Sequence, residues 1–288
     1  MSLSNTQKGI LFAFVGFTFF TFSDALIKVL GSHYEAYAIS FWNYVVVLAI
    51  SLLFALVGGI KKCLKTKTPL IHIARSLCMV FVSVLSVSAL SKGLSLPTLY
   101  TIAFLGPLLV SIAAAALYKE HISRQGWAII LLGFAGIAVA FLKDATFLTP
   151  PVIYAFLMLF FGVSTSLLSR PISNSDHVLT IPFYTSLVIV TALFTYMHGT
   201  VPIPSPEHVP IFAMGGSCLF IAVTGVIQAF RIGRYASAAA MQYTQMVVAI
   251  IIGYYFFDDV PNGWMLVGAG MIIASGLLLI MQQKISRN

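Results

Sequence analysis

The stretch Ser91-Lys-Gly-Leu-Ser-Leu-Pro97 runs into an apolar span, then Glu120 and Gly126-Trp127. A second stretch, Arg231-Ile-Gly-Arg-Tyr-Ala-Ser237, runs into an apolar span, then Asp258 and Gly263-Trp264. Gly93 aligns with Gly233 and Gly133 with Gly270, while Lys28 and Arg170 each close the first span of a half. Four landmarks in one order, with equal numbers of apolar blocks on each side, predict an internal repeat of residues 1–145 in residues 146–288. Five spans is an odd number, so the second half enters the membrane upside down relative to the first.

Composition supplies the spans. Of 288 residues, 59% are apolar and 8% charged, with a mean hydropathy of +0.99. A soluble domain is about a quarter charged. That contrast excludes a cytosolic enzyme, a nucleic-acid binder and a disordered chain. A helix needs about 20 residues to cross the hydrocarbon core. The apolar blocks fall near 9–30, 37–58, 70–90, 97–117, 126–142, 150–169, 178–197, 210–230, 236–257 and 263–283. The expected fold is therefore an all-α polytopic membrane protein, with ten transmembrane helices in a 5+5 inverted repeat. The first block is of full span length and lacks a cleavage site, which predicts an uncleaved leader-free chain.

The net charge of +8 follows from topology. With the N-terminus in the cytoplasm, 12 of the 16 Lys and Arg fall on the inner side, among them Lys61, Lys62, Lys65, Lys67, Lys119, Arg124, Arg170, Arg231 and Arg234. Lys28, Lys92 and Lys143 fall outside and Arg75 within a span. The positive-inside rule then places both termini in the cytoplasm. No nucleic acid is needed to explain the basic excess. Cys63, Cys78 and Cys218 have neither metal nor disulfide spacing, and the histidines have no ligand spacing, so no metal and no cofactor is expected.

With the Pro-bearing fourth span at Leu105-Gly-Pro107, Tyr118-Lys-Glu120, Gly126-Trp127 and Gly133, the chain resembles the EamA-type drug/metabolite transporters over essentially its whole length. His72-Ile-Ala-Arg75 and Ser23-Asp24 are similar to the bacterial S-adenosylmethionine uptake branch. Asn43 stands where that branch would carry Arg, and Gln242 and Gln245 where it would carry Arg and Glu. The resemblance implies a secondary transporter of the bacterial inner membrane, with a small polar or zwitterionic metabolite as its partner.

Charged groups within a bilayer are costly and mark candidate sites. Asp24 is read either as a cation or proton site facing a central cavity, or as the partner of Lys28 one helical turn away. Arg75 is read either as a guanidinium fork for a carboxylate or phosphate, or as a side chain reaching headgroups and helix carbonyls. The two lie on opposite sides of the midplane, about 15 Å apart in depth at 1.5 Å per residue. Asn43 falls at the depth of Asp24, and Ser166, Tyr184, Gln242, Tyr243 and Gln245 near that of Arg75. Two polar rings of this kind suit a two-ended site, or equally the hydrogen bonding common between membrane helices. Tyr100, Tyr184 and Tyr243 could stack on an aromatic or sulfonium ligand. Pro107 predicts a break in the fourth span. Gly133, Gly136, Gly268, Gly270 and Gly276 predict close helix packing and a possible homodimer face.

No phosphate-binding loop is present, which argues against an ATP-driven pump. An intramembrane enzyme would need acid pairs or nucleophile motifs that the chain lacks. A channel would show rings of charge or a carbonyl filter, and an exporter of drugs or aromatic metabolites shares the same expected fold. The topology is tested by reporter fusions: fluorescent protein at either terminus should glow, and alkaline phosphatase there should be inactive. Active phosphatase at the C-terminus would overturn the orientation.

Overall fold

The computed structural model describes residues 4–119, 122–142, 149–169, 172, 176–233 and 235–285. Glu120, Lys143, Arg170 and Arg234, used above in placing charge and repeat, lie outside the described residues, as do His121, Arg287 and the side chain of Lys284. All regular structure among the described residues is helical. In chain order the helices are α1 (Asn5–Leu30), α2 (Ala36–Gly58), α3 (Ile60–Leu64), α4 (Pro69–Ser91), α5 (Leu96–Ala103), α6 (Gly106–Tyr118) and α7 (Arg124–Ala140). Then follow α8 (Pro150–Ser169), α9 (Thr180–Tyr196), α10 (Val209–Ile232), α11 (Tyr235–Ala240), α12 (Thr244–Phe257) and α13 (Gly263–Ile285). Eight helical stretches are long and apolar enough to cross a membrane, counting α5 with α6 and most of α11 with α12. The remaining apolar helices, α7 and α9, are shorter.

Local chemistry sets the helix starts. Ser4 accepts from the Gln7 amide while the Gln7 side chain accepts from the Ser4 amide, closing a reciprocal cap on α1. Ser95 and Ser123 cap α5 and α7 in the simpler way, accepting from the amides of Thr98 and Gly126. The expected break in the fourth span is present. Pro107 has no amide proton and its ring crowds the carbonyl four residues back, and α5 accordingly ends at Ala103. The ninth apolar block is interrupted as well, by a 3₁₀ turn over Met241–Tyr243, although no proline is there. The two interruptions meet: the Phe104 and Tyr243 rings lie 5.1 Å apart, edge to face.

The most extensive helix contacts join α1 with α10, α7 with α13, α4 with α8 and α2 with α9. Each pairs an element before residue 145 with one after it. Small residues permit the close approach. On α1, Gly9, Ala13 and Gly16 form one stripe at helical spacing and face Ala222, Gly225, Ala229 and Gly233 of α10. Gly136 of α7 lies against the Gly268 carbonyl of α13, and Gly133 against Leu108 and Ser275. Gly276 packs under the Tyr243 ring. So four of the five glycines read as a possible homodimer face are engaged within the chain, and only Gly270 has open space beside it.

A Cβ at Gly268 would sit 2.6 Å from the Ala140 Cβ. Gly268→Val should therefore cost about 1–3 kcal/mol, as over-packing of a tight interface does. Gly162→Ala, where nothing lies within 4 Å, should be neutral. Thermal unfolding in detergent checks both, and equal behaviour of the two variants would remove this contact from the account.

Candidate functional site

The first four long helices bring their polar faces together. Phe20, Ser23, Asp24 and Ile27 recur at helical spacing along α1, and Ser40, Asn43 and Tyr44 do so on α2. Met79, Val82, Ser83 and Ser86 line α4, and Leu99, Tyr100 and Ala103 line α5. Together with Met158 of α8 and Leu219 of α10, they enclose a cavity of about 180 Å³.

Its one charged lining residue is Asp24. The Tyr100 hydroxyl donates to Asp24 Oδ2 at 2.5 Å. Lys28 does not pair with Asp24. Its ammonium reaches Asp259 Oδ2 at 2.5 Å, in the connection between α12 and α13, and lies 4.7 Å from the centre of the Phe257 ring. The same Asp259 oxygen accepts from the Leu96 amide. The local-pair reading of Asp24 and Lys28 is thereby replaced by a bond across the two halves. Among the described residues no cation forms an ion pair with Asp24.

Asn43 is 1% exposed, and neither its amide oxygen nor its amide nitrogen has a hydrogen-bond partner among the described residues. The Ser40 hydroxyl is likewise buried and unpartnered. A buried amide with both ends unmet costs free energy comparable to lost hydrogen bonds, unless a ligand or water supplies them. Ser23, by contrast, donates to the Gly215 carbonyl and serves packing.

Arg75 does not line this cavity. It lies one turn before Met79 on α4. Its Nε donates to Ser169 Oγ and its Nη1 to Thr185 Oγ1, each at 2.8 Å, so it ties α8 and α9 together through hydroxyls rather than acids. The other expected residues divide by place. Tyr100 joins Asp24 in the cavity, with Thr21 and Gln245 as further neighbours of its hydroxyl. Gln245 is 7% exposed, and Tyr243 is buried behind the cavity against Phe104. Tyr184 stacks on the His72 imidazole at 4.9 Å, toward the Arg75 end. Gln242 is half-buried in the 3₁₀ turn. Ser166 is exposed on α8 and donates back to the Gly162 carbonyl, away from the cavity.

Several lining residues escaped the sequence reading. Ser40 and Tyr44 flank Asn43 on its own helix face, and Ser83 and Ser86 continue the face that begins at Arg75. The signal was helical spacing: Ser40 stands one turn before Asn43, and Ser83 and Ser86 stand two and three turns after Arg75. The buried pair of His72 and Asp176 left no signal, because its members are 104 residues apart.

The sequence profile of the EamA-like transporter family matches residues 7–142 and again residues 149–281. An S-adenosylmethionine uptake transporter of Rickettsia prowazekii (strain Madrid E) is 24% identical over 98% of this chain and 96% of its own. The corresponding transporter of Rickettsia conorii is 25% identical over 92% of this chain and 90% of its own. A riboflavin transporter of Vibrio cholerae is 22% identical over 81% of this chain and 78% of its own. One solved crystal structure superposes with a TM-score of 0.67 over 97% of this chain and 99% of its own, at 18% identity. With both halves matched by one profile and the apolar helices arranged around a cavity that holds one carboxylate, this chain belongs to the EamA-like transporter family.

Proposed function

We propose that this protein is a secondary transporter that moves a small polar metabolite with a cationic group across the bacterial inner membrane by alternating access. The class includes S-adenosylmethionine-like sulfonium compounds, amino-acid-like zwitterions and related amines. The observation that carries this reading is the cavity itself: one carboxylate with no ion-pair partner among the described residues, two tyrosines, and an Asn43 amide with both ends unmet by those residues. A carboxylate taken out of water and left without a cation is stabilised by a ligand that brings one. Tyr44 and Tyr100 offer ring faces to the same cation. The named relatives transport S-adenosylmethionine or riboflavin, both of which combine an aromatic system with polar groups.

The repeat supports the alternating-access part. Helix pairs that cross between the halves, and one profile matched twice, fit ten spans in a 5+5 inverted arrangement with α7 and α9 as the shorter spans. In such folds a site near the midplane is exposed in turn to either side as the halves rock. Asp24 holds the cation, Tyr100 orients Asp24, and Asn43 supplies a donor and an acceptor. Arg75 takes the carboxylate of a zwitterion on the other side of the midplane, with Tyr184 at the same end. Both termini face the cytoplasm.

Uptake into proteoliposomes tests the reading, with S-adenosylmethionine, riboflavin and simple quaternary amines as probes. Saturable uptake accelerated by substrate on the far side marks a carrier, and passive flux at channel rates would overturn it. Asp24→Asn should lower uptake of a cationic probe by about 10- to 100-fold, the loss expected for a hydrogen-bonded charge contact. Arg75→Ala should abolish transport of zwitterions while leaving quaternary amines within about threefold, provided the protein inserts normally. Wild-type kinetics in both variants would remove these residues from the site.

A further inference from the structure

The chain between α2 and α4 carries Lys61, Lys62, Lys65 and Lys67, while residues 36–119 contain neither Asp nor Glu. All four lysines are exposed, and among the described residues none of them forms an ion pair. The positive-inside rule explains why lysines gather at this end of the bundle, but not how they are held there. Gly59, with a φ of +90°, separates α2 from the short helix α3 in a conformation that side chains disfavour. Cys63 of α3 is 2% exposed, and a Cβ at Gly58 would come within 2.9 Å of its sulfur. The Cys63 carbonyl accepts from Thr180 Oγ1 at 2.9 Å, which ties α3 to the start of α9. Burial of Cys63 fixes α3 as a platform and leaves Lys61 and Lys62 on its open side.

Lys62 lines a pocket of about 340 Å³ that shares no residue with the central cavity. Phe54 and Val57 of α2 form one side of it, and His177, Val178 and Leu179, in the connection before α9, form another. Val57 is 84% exposed on a helix long and apolar enough to cross a membrane, so this side continues the lipid-facing surface of α2. Lys62 stands just beyond the end of α2, where headgroups begin. No acid lines the pocket. Asp176, next to His177, has its carboxylate engaged by His72 and Thr66 and only 2% exposed. Burial, and then Arg231 and Lys62, lower the proton affinity of His177, as unbalanced positive charge would. The Leu179 amide donates to His177 Nδ1, so the neutral ring carries its proton on Nε2.

We propose that this pocket binds one anionic phospholipid, with its phosphate on Lys62 and its acyl chain along Phe54 and Val57. Neutral His177 donates Nε2–H to a phosphate oxygen, while Lys61, Lys65 and Lys67 attract the headgroup from around the rim. A headgroup with one net negative charge, such as phosphatidylglycerol, fits this surrounding. Phosphatidylcholine would bring a further cation to a place that already has several. A free phosphate would meet the charge and leave the apolar side uncovered. The site needs only a bilayer around α2, and so stands independently of what the central cavity carries.

Binding of radiolabelled phosphatidylglycerol to the purified protein in detergent tests the proposal, with unlabelled lipids and inorganic phosphate as competitors. Binding should saturate, and half-displacement should need at least about fivefold more phosphatidylcholine than phosphatidylglycerol, the contribution of one lysine beside an anionic headgroup. Inorganic phosphate should not displace the lipid. Lys62→Gln should remove most of the preference between the two lipids. Lys67→Gln makes the same change of charge outside the pocket and should keep that preference. His177→Phe retains a ring without the donor and should weaken phosphatidylglycerol binding by about threefold. Equal affinity for the two lipids, or equal losses in Lys62→Gln and Lys67→Gln, would overturn the site in favour of diffuse attraction. Displacement by inorganic phosphate would overturn the lipid as its occupant. Absence of substrate uptake in proteoliposomes, by contrast, would count against the transport reading alone.

Discussion

Within hydrocarbon a backbone amide has no water to turn to, so every break in a helix must be shielded by other parts of the protein. The arrangement around the cavity follows from that constraint. The fourth and ninth apolar blocks are both interrupted, at Phe104–Leu105 and at Met241–Tyr243. These breaks are enclosed among helices, with Phe104 0% exposed and Tyr243 packed on both Phe104 and Gly276. The glycine contacts between α7 and α13 and between α1 and α10 bring the outer helices close enough to seal this centre.

Charge is handled by the same logic. Lys28, whose side chain is 12% exposed, finds Asp259 across the bundle. Arg75 is dressed in hydroxyls, which hydrogen-bond its guanidinium without cancelling its charge. Asp24 has the Tyr100 hydroxyl and, among the described residues, no cation. Groups that are fully matched hold the fold together, and groups left partly matched are those a ligand would complete. That distinction separates Lys28, a fastening between halves, from Asp24, the group proposed to receive a ligand's cation.

Much of this was legible from residue order alone. Length, apolar blocks and the Gly-Trp landmarks give an all-helical membrane chain, and Pro107 marks one break because its ring chemistry is local. The second break falls at Met241-Gln242-Tyr243, directly after Ala238-Ala-Ala240 and with no proline or glycine, so packing rather than propensity interrupts it. The helix-neighbour rule suggested a bond from Lys28 to Asp24, but one turn of helix turns Asp24 toward the cavity and leaves Lys28 at the rim. The offset between Lys28 and Arg170 in the repeat carries Asp24 onto Ser166. The backbone pattern tolerates that transfer, yet the Ser166 side chain faces outward and bonds to its own helix. Repeat symmetry, in short, is a property of helix placement before it is one of side chains. The glycines announced close packing, but sequence could not say that their partners lie within the same chain.

The break at Pro107 also shapes the electric field. A helix gathers partial negative charge at its carbonyl end, over its last turn. Had the fourth block stayed unbroken, that charge would have been carried away to Tyr118, at the far end of α6. Instead α5 stops at Ala103, which itself lines the cavity, and its carbonyl end terminates beside Tyr100 and Asp24. A proline placed for its shape thus sets the carbonyl end of α5 and the amide end of α6, partial charges of opposite sign, within a few residues of each other at the centre of the bundle.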